Sequence, residues 1–360
     1  MPKLLFLVAA FFAAAIFPGN VHSQDNYSAE IKKEAISFVN TLSPLQKKSA
    51  MLAFNDTARV KWNNLPVGLR ARAGISVGNM TDEQRHYFHR ILSASLSSQG
   101  YLKATSIMNL DNLLNRYYDS LYYKKTIDDT TFAFIRSLQW SPRNYYLAFF
   151  GAPTDSIWGY KIEGHHLSVN FTFTKDRISV TPLFVGTDPA EVPITEYAGL
   201  RVLGQEEDLG IRLISLLSPA LQKKATMSTG VPGDIITAAE SGKRLVDNWG
   251  ITAAEMTKEQ QTVLQYIIRE FVFNLEYDKA VAEYDKIVKA GIGKVYFGWI
   301  GPYDETAAHY YILNGPTFLI EFDNSGFGGK GNHIHAIWRE KGNEYGEDVL
   351  KQHYLSEKHN

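Results

Sequence analysis

His333 and His335 stand two apart in NHIHAIW, and His165 and His166 are adjacent in GHHL, in a 360-residue chain with ten histidines and no cysteine. Thiolate ligation is therefore excluded, and any transition metal would be held by His, Asp or Glu. On a strand, residues i and i+2 share a face. His333 and His335 can then bind one ion if a third ligand comes from elsewhere, with Ile334, Ala336 and Trp338 on the opposite face. The plainer reading is the polar side of an ordinary strand. Read as the start of a strand, GHHL splits the same way, His165 joining Leu167, Val169 and Phe171, and His166 joining Ser168, Asn170 and Thr172. His166 becomes the candidate ligand or base. His165 is either a ligand or a core histidine bonded to a carbonyl.

Further positions could complete such a site. Glu321, just before a glycine-rich loop, is a candidate ligand or catalytic base, with Asp323 on the same strand face; the alternative is a solvated edge carboxylate. Arg339 could clamp a substrate carboxylate in a two-pronged contact or pair with Asp348. His353 in a short amphipathic C-terminal helix is a ligand, a partner of one, or a histidine favoured by the helix dipole. His309 is a lesser candidate, and His86 and His89 read as exposed helix positions. The GFGGKG run (326–331) lacks the following helix that a phosphate loop needs, so it reads as a hairpin loop beside a pocket. No nucleophile elbow, HExxH zinc motif, dinucleotide fingerprint or calcium loop is present.

The elements that must position these residues come from a sequence that echoes itself. LSPLQKKSAM (42–51) recurs as LSPALQKKATM (217–227), and GISVGNMTDEQ (74–84) as GITAAEMTKEQ (250–260), Leu45, Thr81 and Gln84 matching Leu221, Thr257 and Gln260 at a constant offset of 176. Thr-x-x-Gln opens a long helix in each copy by capping free backbone N–H groups. Phe88, Ile91, Leu92 and Leu264, Ile267, Ile268 give each helix one apolar face. Then YYLAFFGAPTDSIWGYKIEGHHLSVNFTF (145–173) corresponds to VYFGWIGPYDETAAHYYILNGPTFLIEFD (295–323), short aromatic and β-branched runs that read as hairpin strands. The fold expected is α+β: two tandem copies of a helices-then-antiparallel-sheet unit, packed as one pseudo-symmetric globule or as two domains. Residues 24–186 form the first unit, 187–205 a linker and 206–360 the second.

The copies act as a control on each other. His165 and His166 correspond to Pro316 and Thr317, and the HIH pair falls where the first copy has the plain strand RISVTPLF (177–184). The repeat alone does not require these histidines.

Met1–Ser23 has a lysine, an apolar run and a small-residue end, the layout of a secretory signal. No later run is apolar and long enough to span a bilayer, so a secreted or periplasmic product without a membrane segment is expected. Thirty-seven basic against 38 acidic residues, a formal charge of −1, give no footprint for nucleic acid.

The runs Trp158-Gly159 to Gly164-His165-His166-Leu167, Gly315-Pro316 to Glu321, Asn332-His333-Ile334-His335 to Trp338-Arg339, then Tyr345-Gly346 and His353-Tyr354 resemble domain-of-unknown-function family 3500, over most of the chain after residue 23. Where the family has its usual acidic residue before the late Tyr-Gly, this chain has Glu344. The resemblance implies a shared histidine-rich site in an exported or cell-associated protein. The expectation is a metal-dependent hydrolase or oxidoreductase using a divalent zinc, copper or iron ion between the GHHL and NHIH strands and acting on a small molecule or peptide. The alternative is a secreted protein that binds a small ligand, sugar or peptide without catalysis.

Overall fold

A computed structural model describes residues 22–174, 177–239, 247–304, 306–326, 331–348 and 350–351. Most of Met1–Ser23, the 327–330 part of the glycine-rich loop, and His353 lie outside them. The first half runs α1 (His22–Thr41), α2 (Pro44–Ala50), β1 (Met51–Leu52), β2 (Ile75–Ser76), α3 (Asp82–Ser95), α4 (Ser98–Tyr123) and α5 (Asp129–Ser137). It ends in strands β3 (Tyr146–Phe150), β4 (Trp158–Gly164), β5 (Leu167–Phe173), β6 (Ile178–Ser179) and β7 (Leu183–Thr187). The second half has α6 (Gly204–Leu216), α7 (Pro219–Ala225), β8 (Thr226–Ser228), β9 (Ile251–Thr252), α8 (Lys258–Val272) and α9 (Tyr277–Gly291). Strands β10 (Tyr296–Ile300), β11 (His309–Asn314), β12 (Phe318–Asn324) and β13 (Ile334–Glu340) close it.

All thirteen strands belong to one mixed sheet, so the α+β class is as expected. Its main order is β1-β3-β4-β5-β7-β13-β12-β11-β10-β8. Pairing is antiparallel except at the two ends, where β1 runs parallel to β3 and β8 parallel to β10. The halves join at the centre, β7 against β13, with His335 opposite Gly186 and Ile334 opposite Thr187.

The helix starts follow from their caps. Thr81 and Gln84 form a capping box at α3, and Thr257 and Gln260 form one at α8. Phe88, Ile91 and Leu92, and Leu264, Ile267 and Ile268, are fully buried in one apolar core that includes Phe149, Val169, Tyr311 and Phe322 of the sheet. Removing such side chains from water is what holds helices of this length on the sheet, at about 25 cal/mol per Å² of apolar surface.

One local expectation needs correction. His165 and His166 do not begin a strand. They are the turn that joins β4 to β5, with Gly164 opposite Leu167. The polar face of β4 and β5 is covered, every residue of both strands being buried. Chain segments cross that face: Trp62 and Ile235 pack on Phe184 and Ile337. Lys161 donates to the carbonyl of Ala58 at 2.8 Å, and Arg72 pairs with Glu163 at 2.7 Å. A covered face demands paired polar groups, and these segments supply them.

Among the described residues no helix is long and apolar enough to cross a membrane.

Candidate metal centre

The turn that carries His166 is held by backbone and side chain together. His166 has a left-handed φ of 61°, rare for a non-glycine residue. Its N–H donates to the Asn64 carbonyl at 3.1 Å, and its carbonyl accepts from the Gly186 N–H at 2.8 Å. The Tyr145 hydroxyl donates to the His165 carbonyl at 2.6 Å. The strained conformation is thus fixed from three directions, which is how such residues persist.

His333 lies one residue ahead of β13, where its backbone N–H donates to the Asn324 side chain at 3.0 Å, and His335 lies within that strand. The i, i+2 spacing brings both imidazoles to one side, as the sequence predicts, and His166 meets them from the turn. One potential ligand atom from each of His166, His333 and His335 lies within 4.8 Å of the others. Nε2 of His333 is 2.8 Å from Nε2 of His166. Gly186 makes the approach possible, since a Cβ there would sit 3.2 Å from the Cδ2 atoms of both His166 and His335 and 2.7 Å from the Ile334 carbonyl oxygen.

His335 is oriented from both ends. Its Nδ1 is 2.7 Å from Oδ1 of Asp234, and its Nε2 is 3.3 Å from Nδ2 of Asn64. With Nδ1–H donating to the carboxylate, the Nε2 lone pair faces Asn64 and accepts from it, and the Nδ1 side is the carboxylate–histidine arrangement common around bound metals. His165 turns away from the cluster: its Nδ1 is 2.7 Å from Oδ1 of buried Asp111, whose other oxygen accepts from the Ser141 N–H at 3.2 Å. The His165 ring stacks on His166 with centroids 3.8 Å apart and on Trp140 at 6.0 Å.

Desolvation sets the titration of His166 and His333. Desolvation, reinforced by the neighbouring His165, His333 and His335 rings, holds His166 well below its ordinary value. His333 is held well below by desolvation and then by His335 and His165. Both are neutral at pH 7, the state in which imidazole offers a lone pair. Burial also pushes two nearby carboxyls, Asp188 and Asp323, up to about 6.

The cluster forms the floor of a cavity of about 570 Å³, a size that suits a small organic molecule. Asp188, Asp234 and Asp323 line it with the histidines, and Leu65, Leu69, Phe134, Ile135 and Trp140 line the outer wall. Asn64, Asp111, Trp140, Asp188 and Asp234 were not singled out by sequence. Asp188 and Asp234 carry a turn signal, in TDPA and VPGD, but nothing local says that either turn meets the histidines.

Glu321 and Arg339 are placed elsewhere. Glu321 is fully buried and accepts from the N–H of Ile236 at 2.6 Å, the N–H of Thr237 at 3.2 Å, the Thr237 hydroxyl and the Tyr310 hydroxyl at 2.8 Å. Arg339 donates to the Thr237 hydroxyl at 2.9 Å, the Thr237 carbonyl at 2.6 Å and Glu344 at 2.6 Å. Neither lines the cavity. Both grip the segment that presents Asp234 to His335, so their geometry is that of positioning residues. His309 is buried between Trp299 and Phe322, with Nδ1 2.9 Å from the Ala307 carbonyl, and is not in the cluster. His86 is exposed, and the partly buried His89 meets the Tyr101 hydroxyl at 3.1 Å.

Comparison with the curated proteins and with the solved structures gives no match. A family profile does match, over residues 24–347, which is nearly the whole chain. The chain thus belongs to the family described as Protein of unknown function (DUF3500).

Proposed function

We propose that His166, His333 and His335 hold one divalent transition-metal ion, and that the protein is a metal-dependent enzyme acting on a small molecule in the adjoining cavity. The observation that carries this is the convergence of three imidazole ligand atoms within 4.8 Å of one another on a cavity floor. The donor set fits zinc, copper or iron, all of which accept imidazole nitrogen. Nitrogens bound to one tetrahedral ion lie about 3.3 Å apart, for bonds near 2.05 Å, so His166 and His333 would separate slightly on binding. Asn64 would release the Nε2 of His335. The ion would supply Lewis acidity, or redox chemistry if copper or iron. The chain's own part is to fix the imidazoles through Asp234, Gly186 and the Asn64 carbonyl, and to keep those of His166 and His333 neutral by desolvation.

Two broader elements belong to this reading. The halves are tandem copies related by pseudo-symmetry, supported by the constant sequence offset and by matching pairing at both sheet ends, β1 parallel to β3 and β8 parallel to β10. The protein is exported, supported by the layout of Met1–Ser23. The mass of the chain recovered outside the cytoplasm tests export.

Reconstitution tests the function. The metal-free protein is loaded separately with zinc, copper or iron and assayed against neutral ester, amide and oxidisable phenol libraries. Turnover that one metal restores and a His166→Asn variant lacks supports an enzyme. Tight, unreacted ligand binding with every metal supports the binding-protein alternative.

A further inference from the structure

We infer that the cavity takes an uncharged, largely apolar molecule, with its one polar end turned toward His166, His333 and His335. This rests on the proposed function only in taking the cavity as the site.

The first observation is the wall. Leu65 and Leu69 from the loop after Trp62, Phe134 and Ile135 from α5, and Leu138 and Trp140 beyond it form a continuous apolar lining. Leu65, Leu69 and Phe134 remain 41%, 51% and 56% exposed at the mouth. Single exposed apolar side chains need no explanation, but three on the rim of one cavity mark a surface that an occupant would cover. The aromatic surface continues inward, because Trp140 stacks on His165 and His165 on His166. A ring entering from the mouth has flat partners down to the floor.

The second observation is charge. Asp188, Asp234 and Asp323 line the cavity, and no Lys or Arg does so among the described residues. Among the described residues a phosphate, sulfate or carboxylate on the substrate would meet no arginine fork or lysine, and three acids would oppose it. The lining therefore selects against anions, and the apolar outer wall favours a neutral apolar body.

A matched pair of fluorescent probes tests this without any metal. The metal-free full chain is titrated with N-phenyl-1-naphthylamine, which is neutral, and with 1-anilinonaphthalene-8-sulfonate, the same skeleton bearing an anion. The neutral probe is expected to bind at least tenfold more tightly. Leu69→Ser/Phe134→Ser, at exposed positions and checked for an unchanged melting temperature, is expected to weaken it at least tenfold. Equal or tighter binding of the sulfonate, no binding of the neutral probe, or unchanged binding in the double variant would overturn the inference. Metal content measured on the same preparations keeps the two readings separable: the expected ranking in a protein that never takes up metal upholds the substrate class and rejects the metal centre.

Discussion

Nε2 of His166 and Nε2 of His333 face each other at 2.8 Å, although 167 positions separate the two residues in sequence. One sits in the β4–β5 turn and the other just ahead of β13, so the contact exists only because β7 and β13 join the halves of the sheet. A buried imidazole and a half-buried one placed nitrogen to nitrogen can share one proton. Desolvation is the first reason both are held in the neutral form, and charge on neighbouring imidazoles adds to it.

Gly186 should be as necessary to the centre as a ligand. A methyl group there would meet the rings of His166 and His335 and crowd the Ile334 carbonyl. Gly186→Ala is expected to lower metal affinity at least tenfold in chelator competition while costing about 1–3 kcal/mol in stability. Unchanged affinity would show that the two rings need not approach.

Asp234 and Glu321 should separate by readout. Asp234→Ala removes the carboxylate on Nδ1 of His335 and is expected to lower metal affinity about 10- to 100-fold. Glu321→Gln is expected to cost about 1–3 kcal/mol of stability, because backbone and hydroxyl donors of Ile236 and Thr237 lose part of their acceptor. If Glu321→Gln left the melting temperature unchanged and abolished turnover, Glu321 would be catalytic rather than a positioning residue.

The two adjacent histidines should also part company. His166→Asn is expected to empty the site, whereas His165→Asn keeps full metal content, since His165 is tied to Asp111 and lies outside the three-nitrogen cluster. Loss of metal in both variants to the same degree would place His165 among the ligands.

The spacing of the HIH pair and the capping boxes at Thr81 and Thr257 were legible because each signal is local. The turn at GHHL was not. A histidine at φ 61° carries none of the Gly, Asn or Asp chemistry that marks such turns, and β5's own alternation extends back through it in sequence. Glu321 was placed on a strand face correctly but not assigned its partners, because Ile236 and Thr237 reach that face from a segment 84 positions away. Asp111, Asp188 and Asp234 arrive from a helix, a strand end and a crossing loop. No periodicity links such elements.

Acid should weaken the metal-free protein through the same histidines. A histidine depressed by burial contributes stability that is fully present above its unfolded value, near 6.5, and is lost as pH falls through that value toward the folded one. Asp188 and Asp323, raised to about 6, act oppositely: their contribution is present below the unfolded value near 3.9 and is lost as pH rises through about 6. Melting curves between pH 7.5 and 4.5, roughly the span of these transitions, should therefore decline less on the acid side in His166→Gln/His333→Gln than in the unaltered chain. An equal decline in both would show that these imidazoles are solvated.

The most direct measurement is elemental analysis of the untagged, metal-replete protein beside its His333→Ala/His335→Ala variant. One equivalent of zinc, copper or iron per chain, falling to trace in the folded variant, is the result the three-histidine centre predicts. Trace metal in the unaltered protein, or an equal content in both, would contradict it.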